Sequence, residues 1–224
     1  MKPGKRDSQK QKTHANLLES ALKLMGEEKG LGDLSLREVT GKAGIVPAAF
    51  YRHFKSMEEL GLHLVAECSI RIQMIVGDAR VKGAYRSALQ LTIGFFFDYV
   101  TNNRSLFRFI ARERTGGNRK IREGIREAMH LIAVELAKDM RMPKSISKVD
   151  TLFASELIVS ICFQMASDYL DLEEDAHLEM RKLKVKTIKQ VRLVFIGTIR
   201  GKNINIVSCC RSIFPMDRKG NNDI

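Results

Sequence analysis

Residues 34–60 read Leu-Ser-Leu-Arg-Glu-Val-Thr-Gly-Lys-Ala-Gly-Ile-Val-Pro-Ala-Ala-Phe-Tyr-Arg-His-Phe-Lys-Ser-Met-Glu-Glu-Leu. Ser35 and Glu38 stand three apart, the spacing of a capping box, and predict a helix start. Leu36, Val39 and Ala43 give that helix a buried side. Gly44 permits a sharp turn. Pro47 suits the first turn of the next helix, where a missing N–H costs nothing. Phe50 and Phe54 lie four apart and point inward together. Ser56 and Glu59 repeat the capping box and predict the start of a longer helix. Short helix, glycine turn, short helix, long helix is the layout of a DNA-binding helix-turn-helix.

The outward face of the very short third helix carries Pro47, Ala48 and Tyr51. Small residues let a helix approach the base edges of a major groove. Ala48 and Ala49 can touch thymine methyls but donate no hydrogen bond. Arg37 has the reach and fork geometry for a guanine edge. Tyr51, His53 and Lys55 suit phosphates, which position a protein without specifying sequence.

Outward from this stretch the pattern is helical throughout. Residues 1–8 form a basic arm in which Lys2, Lys5 and Arg6 face one acid, Asp7, with Lys10 and Lys12 following. Such an arm is either a solvated tail or a segment that tracks a phosphate backbone. Leu17, Leu18, Ala21, Leu22 and Met25 predict a first helix over 8–29, broken by Gly30 and Gly32. Further helices are expected over 57–80, 84–100, 105–114, 121–140, 148–170 and 175–200, with no strand pair. The domain reading is an arm over 1–8, a DNA-binding domain over 9–60, a regulatory and dimerisation domain over 61–202 and a flexible tail over 203–224.

The chain has 224 residues, a formal net charge of +12 and a pI near 9.7. That balance calls for an anionic partner such as nucleic acid, anionic membrane or an acidic protein. Cysteines at 68, 162, 209 and 210 lack the paired spacing of a zinc site. The basic, polar opening does not read as a signal peptide, and the apolar runs fall short of a membrane span, so a reducing cytoplasm is the expected home. Histidines at 14, 53, 63, 130 and 177 lie scattered through the sequence. No Ser/His/Asp set, phosphate loop or metal-ligand pattern points to an enzyme or a cofactor.

The 34–60 stretch resembles the signature of the TetR family of bacterial transcriptional repressors, in which a Gly-Ile/Val turn precedes a recognition helix ending in Leu/Phe-Tyr-x-His-Phe. The resemblance is strong over residues 9–60 and implies an all-α homodimer that binds a near-palindromic operator under small-molecule control. It places base contacts on Arg37, Val46, Pro47, Ala48 and Ala49, with Tyr51 on base or phosphate, and backbone contacts on His53 and Lys55. Glu59-Leu-Gly-Leu62 and Phe107-Arg-Phe-Ile-Ala-Arg-Glu-Arg-Thr-Gly116 are similar to a narrower group, the FabR-type repressors of unsaturated fatty acid biosynthesis genes. That group tends to carry hydroxyl residues where this chain has Ala48 and Ala49. The likeness implies a long-chain acyl thioester effector, on coenzyme A or acyl carrier protein. Control of efflux or catabolic genes by another hydrophobic molecule is the alternative.

A helical bundle can hold such a ligand between its helices. Phe95, Phe96, Phe97, Tyr99, Phe107 and Phe109 are candidates to line the cavity, or else to fill the core. Arg108, Arg112 and Arg114 are candidate partners for its phosphates. The apolar run Leu157, Ile158, Ile161, Phe163 and Met165 and the stripe Ile188, Val191, Phe195 and Ile199 suggest a four-helix dimer interface. Residues 168–179 hold six acids and no Lys or Arg, whereas 181–202 hold eight Lys or Arg and no acid. This order suits a helix macrodipole, or a basic face for acyl carrier protein or DNA.

Overall fold

The structure is a computed structural model that describes residues 5–26, 29–82, 85–140, 142–173 and 175–201. Every regular element among them is helical. Helix α1 spans Lys5–Met25, α2 Leu36–Lys42, α3 Pro47–Phe50 and α4 Met57–Lys82. The bundle follows with α5 Tyr85–Asn102, α6 Arg104–Glu113, α7 Arg119–Asp139, α8 Lys148–Leu170 and α9 His177–Arg200. The first four residues of the expected arm and the 203–224 tail lie outside the described residues; Lys5 to Ser8 belong to α1.

Helix α1 buries Leu17, Leu18, Ala21 and Met25, the stripe expected from the sequence. It stops at Met25 rather than Lys29. Gly26 takes φ +50, a left-handed conformation that ends helices and that glycine adopts without strain. Gly30 instead caps, and Gly32 lies within, a 3-10 turn over Leu31–Asp33, which buries Leu31.

Both capping signals operate. Ser35 Oγ accepts from Glu38 N at 3.2 Å, and Glu38 Oε2 accepts from Ser35 N at 2.7 Å. At α4, Ser56 Oγ accepts from Glu59 N, but the Glu59 carboxylate turns back one residue further, to Lys55 N. The Gly44 turn has φ +69. From α1, Asn16 Nδ2 donates to the Ala43 carbonyl at 2.8 Å and ties this corner to the first helix.

One apolar core runs from the head into the bundle, from Phe50 and Phe54 through Leu31, Leu60 and Phe109 to Phe97, Phe163 and Tyr169. Helices α4 and α7 pack closely where Gly124 meets Leu62 and Gly61 meets Leu31 and Ile121. The stretches Met57–Gly77 and Lys148–Leu170 are, contrary to expectation, long and apolar enough by length and composition to cross a membrane. Half of each is buried inside the bundle, which is what helices packed on several sides require.

Two expectations for α8 and α9 change. Ile158, Phe163 and Met165 are core, whereas Leu157 is exposed beside Val149 and Phe153. Val191 is fully buried and Ile188 and Phe195 pack on the core, so of this stripe only Ile199 is left exposed and the rest serves α9 within its own chain. The outward stripe is Leu178, Val185, Leu193, Ile196 and Ile199. Helix α9 also begins at His177, leaving Glu179 as the acid of its first turn. Most of the acidic run therefore precedes the helix, and the macrodipole account holds only for Glu179 in its first turn and Arg200 in its last.

Candidate nucleic-acid interface and effector cavity

The recognition helix is only four residues long, extended by a turn through Tyr51, Arg52 and His53. Phe50 and Phe54 are sealed beneath it, with ring centroids 5.6 Å apart. Their burial turns the opposite face outward. Val46 is 67% and Tyr51 63% exposed, an uncommon state for large apolar side chains, while Pro47 and Ala48 are exposed and Ala49 is half-buried. Tyr51 stands edge-on to Phe50, which fixes one side of its ring. Arg37 and Lys55 are exposed on either side of the helix. All eight sequence-derived DNA-contact candidates fall within the stretch from α2 to the turn after α3, six of them exposed and Ala49 and His53 half-buried, which makes this stretch the candidate interface. Lys42, at the end of α2, and Arg52, beside Tyr51, add exposed cations to it. Sequence reasoning passed over both, because a lone Lys or Arg on a short element carries no pattern.

A second feature was invisible in one dimension. His14 from α1 and His63 from α4 pack on the Phe54 ring, and His53 from the α3 turn lies beside His14. Ring centroids lie at 4.5 Å for His14–Phe54, 5.2 Å for Phe54–His63, 5.1 Å for His14–His63 and 6.1 Å for His14–His53. Burial pushes the pKa of His14 down, and His63, His53 and Lys10 push it further the same way. Burial also lowers that of His53, helped by Lys10 and Arg52. His53 Nδ1 is buried with no hydrogen-bond partner among the described residues. Among those residues no three His, Cys, Asp or Glu side chains are grouped to hold a metal ion.

Between α6 and α8 lies a cavity of about 140 Å³. Phe107, Ile110, Ala111 and Phe163 give it apolar walls, and Arg114, Thr115, Gln164 and Ser167 give it a polar side. Of the ligand candidates drawn from sequence, Phe107 and Arg114 line it. Phe96 is buried behind, against Phe107 and Phe163 at 5.8 and 6.2 Å. Tyr99 packs on Phe107 at 5.6 Å, and burial pushes the pKa of its phenol up. Phe95 and Arg108 are half-buried, and Arg112 is exposed with its Cδ facing Gly30 of the head.

The Arg112-Glu-Arg-Thr-Gly116 segment joins these two regions. The Glu113 carboxylate is buried, and its Oε1 accepts from Leu31 N at 3.3 Å. A Cβ on Gly116 would lie 2.9 Å from Glu113 Oε2, so glycine makes room for the carboxylate. Arg122 donates to the Gly116 carbonyl and pins the turn from α7. The next residues, Arg114 and Thr115, face the cavity. One short segment therefore touches both the cavity and the backbone of the head.

Residues 17–64 match the model of the bacterial regulatory proteins of the tetR family, and residues 86–197 match the tetracycline repressor-like C-terminal domain. Among solved structures, the transcriptional regulator FadR from Bacillus subtilis in complex with stearoyl-CoA is similar, at 16% identity and a TM-score of 0.61. The match covers 84% of this chain and 98% of that one. The fatty acid degradation regulator FadR from Bacillus halodurans matches at 14% identity and a TM-score of 0.60, over 90% and 98% of the two chains. A transcriptional regulator from Aquifex aeolicus matches at 20% identity and 0.62, over 81% and 99%. These structures share the fold. The chain belongs to the TetR family of transcriptional regulators.

Proposed function

We propose that this TetR-family regulator is a repressor that grips operator DNA as a homodimer and is controlled by a hydrophobic effector held between α6 and α8. The observation that carries the DNA-binding part is the exposed, nearly apolar face Val46–Ala48 with Tyr51, rimmed by Arg37, Lys42, Arg52 and Lys55. Apart from the Tyr51 hydroxyl this face has no hydrogen-bonding side chain, which suits close fit in a major groove and contact with thymine methyls. Arg37 supplies a fork for a guanine, and Tyr51, His53 and Lys55 hold phosphates. With so few donors on α3, much of the discrimination rests on Arg37 and on DNA shape.

Control of fatty acid biosynthesis genes by a long-chain acyl thioester is the reading we favour for the effector. It is supported by the Arg112–Gly116 motif and by the stearoyl-CoA that the similar B. subtilis regulator carries. Arg114, Phe107 and Phe163 all line the cavity, so in this reading Arg114 meets the polar head and the two phenylalanines the chain. Size argues for movement. A cavity of about 140 Å³ matches the roughly 150 Å³ space that admits benzene, not a long chain. An acyl chain would have to push Phe107 and Phe163 aside. The same volume favours a second reading, in which a smaller hydrophobic molecule controls efflux or catabolic genes.

The decisive experiment is footprinting of the protein on its own upstream region and on fatty acid synthesis promoters, with mass spectrometry of co-purified ligands. Protection at those promoters and a bound acyl thioester are expected. Protection only at unrelated promoters with a compact aromatic ligand would replace the lipid reading by the second one.

A further inference from the structure

We propose that the imidazole cluster around Phe54 is a proton-sensitive seat: uncharged, it holds the end of α3 in its DNA-competent position, and gaining protons it releases it. The inference deepens the DNA-binding reading above and rests on it.

The cluster joins three separate elements. His14 comes from α1, His53 from the turn that ends the recognition helix, and His63 from α4, all within ring-packing distance of Phe54 or of each other. Phe54 is 1% exposed and sits directly under the DNA-facing surface. Whatever moves these rings therefore moves the segment carrying Tyr51 to Lys55.

The surroundings of the rings are unfavourable to positive charge. Lys10 on α1 faces His14 and His53, and Arg52 faces His53. The imidazoles also oppose one another, since His63 and His53 both act on His14. On α4, Glu67 is the acid that faces His63, and burial raises its own pKa. As the pH falls Glu67 takes a proton sooner than an ordinary carboxylate, so the compensating negative charge fades when it is most needed. The buried Nδ1 of His53 adds a geometric term. In the neutral ring this nitrogen can be the bare acceptor, leaving Nε2–H as the donor. In the imidazolium it must carry a proton with no partner, which is the costlier arrangement.

The sign follows from linkage. His14 and His53 bind protons less readily in the folded head than in an unfolded chain. Their contribution to stability is present above the ordinary histidine value of about 6.5. It is lost as the pH falls below that value and through the lowered folded ones. Operator phosphates act in the opposite direction, because they attract imidazolium. The seat wins only if packing on Phe54 governs the position of the α3 turn.

The test uses the full chain and a fluorescent duplex selected from a random library at pH 7.5. Melting temperature and affinity are measured from pH 7.5 to 5.5 for wild type, His14→Phe and His63→Phe, which keep an aromatic ring on Phe54. The expected result is a parallel fall in both quantities for wild type, with affinity losing up to about tenfold per pH unit for each proton that must leave. The variants should fall less steeply. Affinity that rises or stays flat in wild type, or variants that fall as steeply, would overturn the proposal. Should a variant not fold, NMR titration of the wild-type histidines decides: ordinary or raised pKa values for His14 and His53 refute the seat. If no duplex binds at any pH the DNA-binding reading fails instead, and the melts and titrations still judge the cluster.

Discussion

A Cβ added at position 61 would lie 2.5 Å from Leu31 Cδ2 and 3.1 Å from Ile121 Cδ1, both buried. At position 77, on the same helix, a Cβ would meet nothing within 4 Å. Glycine to alanine inside a helix ordinarily gains about 1 kcal/mol. Overpacking a core costs about 1–3 kcal/mol. Gly77→Ala should therefore raise stability by up to about 1 kcal/mol, and Gly61→Ala should lower it by a similar amount, since Leu31 has no route to solvent. Urea denaturation of the two variants tests the pair. Equal stabilisation in both would mean that Leu31 yields freely. Some residue-scale features are legible in sequence because they are local: Ser35 with Glu38, Pro47, and Phe50 with Phe54 act within one turn of chain. Gly61 and the His14–His53–His63 cluster are not, since each depends on residues from other helices.

The same contrast holds for the DNA-facing side chains. Arg37, Tyr51 and Lys55 are all exposed, and under the proposed docking Arg37 reads a base edge while Tyr51 and Lys55 contact phosphates. Tyr51→Ala or Lys55→Ala should weaken binding about equally for all sequences, and Lys55→Ala should also flatten the salt dependence by about one ion. Arg37→Ala should relax preference at particular base pairs, at about 1–3 kcal/mol for each lost bidentate contact. Affinity measured over a panel of single-base operator variants at two salt concentrations separates the two patterns. A uniform loss from Arg37→Ala would move that residue to the phosphate class.

At the scale of elements, α6 is the one whose two ends do different things. Phe107 and Ile110 wall the cavity, and three residues further on Glu113 holds the Leu31 N–H of the head. Glu113→Ala leaves that buried donor unpaired, a cost of about 1–3 kcal/mol. It should also uncouple the two regions, so that an effector that binds as well as before no longer changes operator affinity. Calorimetry of the effector and fluorescence anisotropy of the duplex measure the two halves separately. Coupling that survives Glu113→Ala would shift the relay to the apolar contacts of Phe109 and Leu31. Element boundaries were read well where a cap marked them and poorly where a glycine had competitors. Helix α1 ends at Gly26, although Gly30 and Gly32 carry the same chemical licence, because only Gly26 follows the last buried position, Met25.

At the scale of the whole molecule, α8 and α9 leave an apolar surface that the described residues do not cover. Val149, Phe153 and Leu157 on α8 and Leu178, Val185, Leu193, Ile196 and Ile199 on α9 are each more than two-fifths exposed. Periodicity revealed that both helices are apolar, but of the residues it assigned to the outside only Leu157 and Ile199 are exposed. The reason is physical: α9 must bury Val191 against its own bundle before anything remains for a partner. A two-fold dimer repeats every contact, so one substitution acts twice. Losing the burial of one leucine side chain costs about 1.5–3 kcal/mol. Leu157→Glu or Leu193→Glu should then cost the dimer about 3–6 kcal/mol, before any cost of burying the charge. At about 1.4 kcal/mol per factor of ten, that is a loss of roughly two to four decades in dimer affinity. Sedimentation velocity at micromolar concentration should show a dimer for wild type and a monomer for either variant, each with unchanged helix content. The monomers should also lose operator affinity steeply, because half of the paired contact is gone. Wild type that sediments as a monomer would remove the homodimer from the proposed function. Variants that remain dimeric would place its interface on another face.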